Sequence, residues 1–262
     1  MDLLIDIGNT NLRWATWASP PTVPPTIPQA GPMLGEVITL RHHGALPIDL
    51  LAAWERLEPP RQVLVGNVGG NELAARLTRA VASLWGLTPA FAATQYEGLG
   101  VRTAYAEPAR LGVDRWLALI AAHRHAPGPA LIVDAGTAIT YDLLSADGQH
   151  LGGLILPGVR MLREALRTGT RIPPWKGQAE KESEPGPDAP PWAADTATAI
   201  AGASLHAPAA LAERLWKRLR EHGGGEPQLL LTGGDAERLA PLLDAPVRIL
   251  PALVLQGLAL LA

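Results

Sequence analysis

Two short stretches of this chain follow one plan, and that duplication constrains its fold more than any other feature. Residues 2–17 run as an apolar segment from Leu3 to Ile7 that carries Asp6, break at Gly8, Asn9, Thr10 and Asn11, and resume a strand-like pattern from Leu12 to Trp17. Residues 130–144 repeat the arrangement with an apolar run, Asp134, one small residue, Gly136, Thr137 and a second strand. Asp6 and Asp134 lie 128 residues apart, close to half of the 262-residue chain, so the repeat is on the scale of a domain. Each copy predicts a hairpin with a polar tip. Gly8 lets the backbone turn and approach a ligand, while Asn and Thr set short donors beside the N–H groups of the turn, an arrangement suited to phosphate oxygens. A carboxylate at the end of a buried strand needs a partner, because desolvating it alone is costly. A hydrated Mg²⁺ carried by ATP would be such a partner for Asp6. Alone, the first copy reads equally well as a solvated Asx turn; the second copy tips the reading toward phosphate.

The paired loops resemble those of the acetate and sugar kinase, heat-shock chaperone and actin superfamily, in which two domains grip ATP from both sides. The resemblance implies an α/β fold of two actin-like (ribonuclease H-like) domains, each a mixed β-sheet flanked by helices, with the ATP cleft between them. Residues 1–128 would hold the first phosphate loop, and 129–262 the second together with an adenosine segment. No stretch matches the Gly-x4-Gly-Lys-Ser/Thr phosphate loop. A hydrophobic content of 47% supports real cores, and a net charge of −3 offers no general attraction to nucleic acid or anionic lipid. The expected partner is therefore a small molecule, with no nucleic acid and no membrane. The absence of cysteine excludes disulfides, thiolate metal sites and a cysteine nucleophile. With only a short apolar run after Met1 and Asp2, neither a signal peptide nor a membrane span is expected, which implies a cytoplasmic protein.

Between the two loops, the proline-rich residues 19–33 predict a surface loop. Glu36–Leu40 reads as a strand, Leu50–Leu57 as a helix, and Gln62–Val65 as a buried parallel strand ending at Gly66-Asn67-Val68-Gly69-Gly70. Leu73, Leu77, Val81 and Leu84 have helical spacing, with Asn71 as the expected N-cap. Trp116, Leu117, Leu119 and Ile120 predict a further helix, with Asp114 and Arg115 at its start. By itself that start reads as a capping aspartate beside a solvated arginine. Its chemical reading is that Asp114 takes a proton from a hydroxyl while Arg115 fixes a carboxylate through a two-pronged pair.

Asp6-Ile-Gly-Asn-Thr-Asn, Tyr105-x2-Pro108-x2-Leu111-Gly-Val-Asp-Arg-Trp116 and Asp134-Ala-Gly-Thr-Ala138, in this order, resemble the type III pantothenate kinases, the family that includes the Bvg accessory factors. Gly152–Gly158, Asp195–Ile200 and Leu230–Gly234 extend the resemblance over most of the chain. It implies ATP-dependent phosphorylation of pantothenate to 4′-phosphopantothenate, the first step of coenzyme A synthesis. The loop of Asp6, Ile7, Gly8, Asn9, Thr10, Asn11, Leu12 and Arg13 would contact the phosphates of Mg²⁺-bound ATP, and Thr137 would do so from the second domain. Tyr105 and the turn Gly112, Val113, Asp114, Arg115 would bind pantothenate, with Asp114 as proton acceptor. Asp134 falls where the family binds a monovalent cation, K⁺ or NH₄⁺, and Thr196 where a threonine reaches pantothenate across a homodimer interface. Two other functions fit the same motifs: a kinase of this fold for another hydroxy acid or sugar, and a non-catalytic nucleotide-binding transcriptional accessory factor.

The remaining segments carry less chemistry. Gly152–Gly158 reads either as a plain strand exit or as a ligand-lining strand, and Met161–Leu166 as a short helix with Thr168 and Thr170 available to a substrate. Residues 173–191 predict a mobile loop rich in Pro, Gly, Lys and Glu. Asp195 should cap a helix that Pro208 breaks or bends, and Gln228–Leu231 should be a strand opening into Thr232-Gly-Gly-Asp235 beside adenosine. A terminal helix, Val254–Leu261, is expected to close the second domain. The seven histidines, His42-His43 and His123-x-His125 among them, predict surface positions and no metal site; the eight tryptophans predict core and interface packing.

Overall fold

Strand β1 (Asp2–Ile7) is buried along its whole length, as a strand with apolar side chains on both faces must be. It pairs antiparallel with β2 (Asn11–Ala18) and parallel with β5 (Val63–Asn67). The computed structural model of the chain describes residues 1–18, 33–126, 128–172, 190 and 192–262. They divide into two units, Met1–Ala121 with Ala252–Ala262, and Ala122–Pro251. The first unit's sheet has the order β3 (Met33–Leu34), β2, β1, β5, β6 (Ala90–Phe91), with β4 (Ile38–Arg41) also paired to β2. Helices α1 (Ile48–Trp54) and α2 (Asn71–Trp85) bring Leu50, Trp54, Leu73, Leu77 and Val81 onto a core with Leu3, Ile5, Ile7 and Trp14. Trp14 meets Trp54 edge-on at 6.2 Å and Trp54 lies 5.6 Å from Trp85, so these tryptophans are packing residues. A short hairpin, β7 (Glu97–Gly98) and β8 (Val101–Arg102), then leads into α3 (Val113–His125).

The second unit repeats the plan. Its sheet runs β11 (His150–Pro157), β10 (Ala138–Leu144), β9 (Ala130–Ala135), β12 (Gln228–Thr232), β13 (Val247–Ile249). The first three strands are antiparallel, and β12 and β13 run parallel to β9. Strand β9 thus stands where β1 stands, and Asp134 and Asp6 are each the penultimate residue of the equivalent strand. Helix α4 (Val159–Gly169) follows β11, and α5 (Thr196–His222) buries Leu205, Ala212, Trp216 and Leu219 against Leu131, Val133, Tyr141, Leu229 and Leu231. The short α6 (Ala236–Leu239) and the final helix α7 (Leu253–Ala259) complete the described elements. The fold is α/β, with two mixed sheets flanked by helices.

Several details differ from the expectations. The final helix does not close the second half; α7 packs on β1, β2 and β5 of the first unit, burying Leu253, Leu255 and Leu258. Gly257 is in contact there with the Leu117 backbone, where a Cβ would sit 2.0 Å from Leu117 O. Asn71 is the first residue of α2 and not its cap; Gly70 precedes it at φ +98°, a conformation open to glycine, with no side-chain cap bond. Helix α5 runs unbroken through Pro208, whose carbonyl accepts a hydrogen bond from the buried Tyr141 hydroxyl at 3.0 Å. Thr168 and Thr170 spend their hydroxyls on the Glu164 and Leu166 carbonyls of their own helix. The loops expected at 19–33 and 173–191 lie outside the described residues apart from Met33, the start of β3, and Pro190. Among the described residues no helix is long and apolar enough to cross a membrane.

Candidate active site

The tip of the β1–β2 hairpin is closed by Gly8 N–H donating to Asn11 O at 2.9 Å, below the register pair Ile7 and Leu12. Ile7 and Leu12 are fully buried, so toward a ligand they offer backbone groups alone. Asp6 is 8% exposed and sits opposite Arg13 on β2 and Gly66 on β5. The turn after β5 lies against this loop. A Cβ on Gly69 would stand 2.7 Å from Ile7 Cγ2 and 2.8 Å from Gly8 O, which explains the absence of a side chain there. Asn67 holds the turn, its Oδ1 accepting from Gly69 N–H at 3.0 Å and its Nδ2 donating to Gly70 O at 3.2 Å.

The same turn carries the start of α3. The Cβ position of Gly66 lies 3.9 Å from Asp6 Oδ1 and 2.9 Å from Leu117 Cδ1, and that of Gly112 lies 3.9 Å from Val68 Cγ1. The phosphate-type loop and the Gly112–Arg115 turn are thus both assembled against residues 66–69. Asp114 is in the first turn of α3, and its Oδ1 accepts from Arg115 N–H at 2.8 Å. A Cβ on Gly112 would come within 2.5 Å of that same oxygen, so a side chain there would displace the carboxylate. Arg115 is 6% exposed, not solvated as a capping-face arginine would be. Its Nη1 donates to the Tyr105 hydroxyl at 3.1 Å, and its guanidinium carbon stands 5.8 Å from the Tyr105 ring centre. Tyr105 N–H is held in turn by the buried Thr103 hydroxyl at 3.1 Å. Tyr105, Gly112, Val113, Asp114 and Arg115 therefore form one cluster, with a cation and a carboxylate presented together.

In the second unit, Gly136 and Thr137 form the β9–β10 tip, closed by Gly136 N–H to Ala138 O at 3.0 Å. Gly158, ahead of α4, donates its N–H to Thr137 O at 2.9 Å, and a Cβ on it would lie 2.4 Å from Gly136 O and Thr137 O. Gly233, at φ +90°, closes the other side, its Cβ position 2.5 Å from Asp134 Oδ1 and from Ala135 O. Asp235 N–H donates to Ala135 O at 2.9 Å, so the Thr232–Asp235 turn is tied to the second loop. Thr196 stands apart from this group at the first turn of α5, exposed beside the cap. There Asp195 accepts from Thr198 N–H at 2.9 Å, a bond that holds its carboxyl below the usual carboxylate range.

The donor sets suit the ions that the sequence suggests. Among the described residues no group of three or more His, Asp or Glu is placed to enclose a metal. One buried carboxylate at a polar loop matches Mg²⁺, which keeps its waters and phosphate oxygens and takes one or two protein carboxylates. At Asp134 a carboxylate oxygen and the Ala135 carbonyl converge on Gly233. Thr232, paired in register with Asp134, keeps a fully buried hydroxyl with no hydrogen-bond partner. An all-oxygen set of this kind suits a hard cation.

Sequence reasoning missed three buried polar contacts. His42, expected at the surface, is 6% exposed and its Nε2 lies 2.8 Å from Gly8 O. His150 and Asp142 form a buried pair at 2.9 Å, and Arg163 of α4 donates to the Ser204 hydroxyl of α5 at 2.8 Å. No periodicity marks these positions, since each depends on a partner from another element. A histidine directly after a strand paired to the loop was the available signal for His42.

A family model described as type III pantothenate kinase matches residues 2–218. A type III pantothenate kinase of Nitrosococcus oceani is 35% identical over 100% of this chain and 94% of its own length, and one of Burkholderia lata is 35% identical over 99% and 94%. Among solved structures, a Baf family protein of Campylobacter jejuni aligns with a TM-score of 0.55 at 21% identity, covering 98% of this chain and 95% of that one. The activator of 2-hydroxyisocaproyl-CoA dehydratase from Clostridium difficile, with bound ADPNP, aligns with a TM-score of 0.51 at 14% identity over 100% and 93%. These two likenesses concern the fold. The full-length sequence match settles the family: the chain belongs to the type III pantothenate kinases.

Proposed function

We propose that this protein transfers the γ-phosphoryl group of ATP to the 4′-hydroxyl of pantothenate, opening coenzyme A synthesis in the cytoplasm. The observation that carries the residue roles is the shared segment 66–69, against which both Asp6 and the start of α3, with its Asp114–Arg115–Tyr105 cluster, are packed. Pantothenate is a carboxylate with hydroxyls and an amide, and Arg115 with Tyr105 supplies one fixed cation and a hydroxyl. Asp114 is the proton acceptor. As the 4′-oxygen bonds to the γ-phosphorus, the bond to the β,γ-bridging oxygen breaks, ADP leaves, and the hydroxyl proton passes to the Asp114 carboxylate. No covalent enzyme intermediate is required. The loop from Asp6 to Arg13 binds the β- and γ-phosphates, as does Thr137. Mg²⁺, when bound beside Asp6, neutralises charge on those phosphates, and Asp134 takes K⁺ or NH₄⁺.

The protein works as a homodimer in which the partner subunit's Thr196 reaches pantothenate. The edge strand β11 and helix α4 support this, leaving Leu154, Ile155 and Met161 exposed, with Ile155 at 62%. A coupled assay with purified protein, ATP, Mg²⁺ and pantothenate, with and without K⁺, tests the reading, with other hydroxy acids and sugars as competing acceptors. ADP release that depends on pantothenate is the expected result; release with another acceptor alone, or none with any, overturns it.

A further inference from the structure

His42 is tied to the first phosphate loop through its ring and its backbone, and its ring is met on the far nitrogen by a third group. Its Nε2 lies 2.8 Å from Gly8 O, its backbone N–H donates to Thr10 O at 2.9 Å, and Gly44 N–H approaches its Nδ1 at 3.4 Å. A carbonyl acceptor at Nε2 and an N–H donor at Nδ1 fix one neutral tautomer, with the proton on Nε2. The ring is 6% exposed, so the bond to Gly8 is shielded from water. On its other side Gly8 O is backed by Gly69, where a Cβ would be 2.8 Å away. The Gly8 carbonyl therefore has a fitted seat between an imidazole donor and a bare glycine.

We propose that His42 is a positioning residue for ATP: by holding the Gly8 carbonyl in this seat, it fixes the orientation of the Gly8–Asn9 peptide and turns the Asn9 N–H to the ligand side. The physical basis is the planar trans peptide, whose C=O and N–H point in opposite directions. With the Gly8 carbonyl drawn to His42, the N–H of Asn9 faces away from His42. Release of that bond lets the peptide rotate and turn a carbonyl dipole, repulsive to phosphate, toward the nucleotide. His42 thus acts through the loop without touching substrate. The inference rests on the proposed role of residues 6–13 in ATP binding, and binding measurements separate the two.

The dissociation constants of Mg²⁺·ATP and of pantothenate are measured for the wild type, His42→Leu, His42→Gln and Gly69→Ala. Loss of one shielded hydrogen bond predicts ATP binding weaker by about 5- to 10-fold in His42→Leu. Most of it returns in His42→Gln, whose amide N–H extends to about the reach of Nε2, and pantothenate affinity stays at the wild-type value. Gly69→Ala, which presses on the same carbonyl from behind, shows the same ATP-selective loss. Wild-type ATP affinity in His42→Leu, or a His42→Gln variant as weak as His42→Leu, overturns the inference. Should His42→Leu not fold, His42→Asn, too short to reach Gly8 O, takes its place in the comparison with Gln. Failure of the wild type itself to bind Mg²⁺·ATP would instead remove the role assigned to the loop.

Discussion

Asp114 and Arg115 are neighbours in sequence with different tasks, and substitution separates them. Asp114→Asn keeps the size and the acceptor for Arg115 N–H but removes the base. Turnover should fall about 10²- to 10⁴-fold, the range for losing a general base, with ATP affinity unchanged in a direct binding measurement. Equal turnover in the mutant would exclude Asp114 from proton transfer. Gly233→Ala tests the second loop. A Cβ there would overlap Asp134 Oδ1 and the Ala135 backbone at 2.5 Å, in a φ region that alanine avoids. The expected outcome is weaker stimulation by K⁺ together with weaker ATP binding, read by titrating each against the other.

Among the elements, β1 carries a second buried carboxylate whose effect is on stability. Asp2 accepts from Arg61 Nε at 2.9 Å and Nη2 at 2.7 Å and from Gln62 Nε2 at 3.1 Å, which together tie β1 to the start of β5. The Arg61 hydrogen bond, ahead of opposing burial, holds the Asp2 carboxyl below its ordinary value of 3.8. A group whose pKa is depressed on folding adds stability above its unfolded pKa, and that stability is lost as pH falls through the folded value. Arg61→Ala should therefore lower the denaturation midpoint at pH 7, and the difference from wild type should shrink below about pH 4. A difference that stays constant down to pH 2 would show that the pair contributes through packing and not through charge.

The elements were legible in the sequence wherever one face or one repeat decided them. Leu73, Leu77 and Val81 marked α2, and the duplicated Asp-x-Gly turns marked both sheets. Asp195 marked the start of α5 because a cap is a local event, its bond reaching three residues ahead. The chemistry proposed for Asp114 and Arg115 comes from family motifs, whereas the burial of Arg115 was not legible in the sequence, since it depends on Tyr105, ten residues earlier, folding back over it. His42 and the site of α7 escaped for the same reason on a longer scale. His42 meets Gly8 across 34 residues, a contact that follows only once β4 is paired to β2, and the apolar face of α7 would suit either sheet. Pro208 does not break α5, because a helix held by a long buried face can absorb one missing N–H.

For the whole molecule, the proposed pairing of two copies has its own test. Ile155→Glu puts a charge on the exposed edge strand and should shift the protein from dimer to monomer by light scattering. Because the partner subunit's Thr196 is assigned to pantothenate and the ATP groups come from the chain itself, monomerisation should raise the KM for pantothenate and leave nucleotide binding in place. A variant that remains dimeric with unchanged kinetics would move the contact to another surface. The path of the backbone adds a constraint of a different kind. It leaves the first unit at Ala121 and returns to it only at Ala252, where α7 covers β1. During translation the ribosome must therefore make all of the second unit before the first can be sealed. The N-terminal sheet waits with one side only partly covered, and clipping α7 would harm the part that was synthesised first.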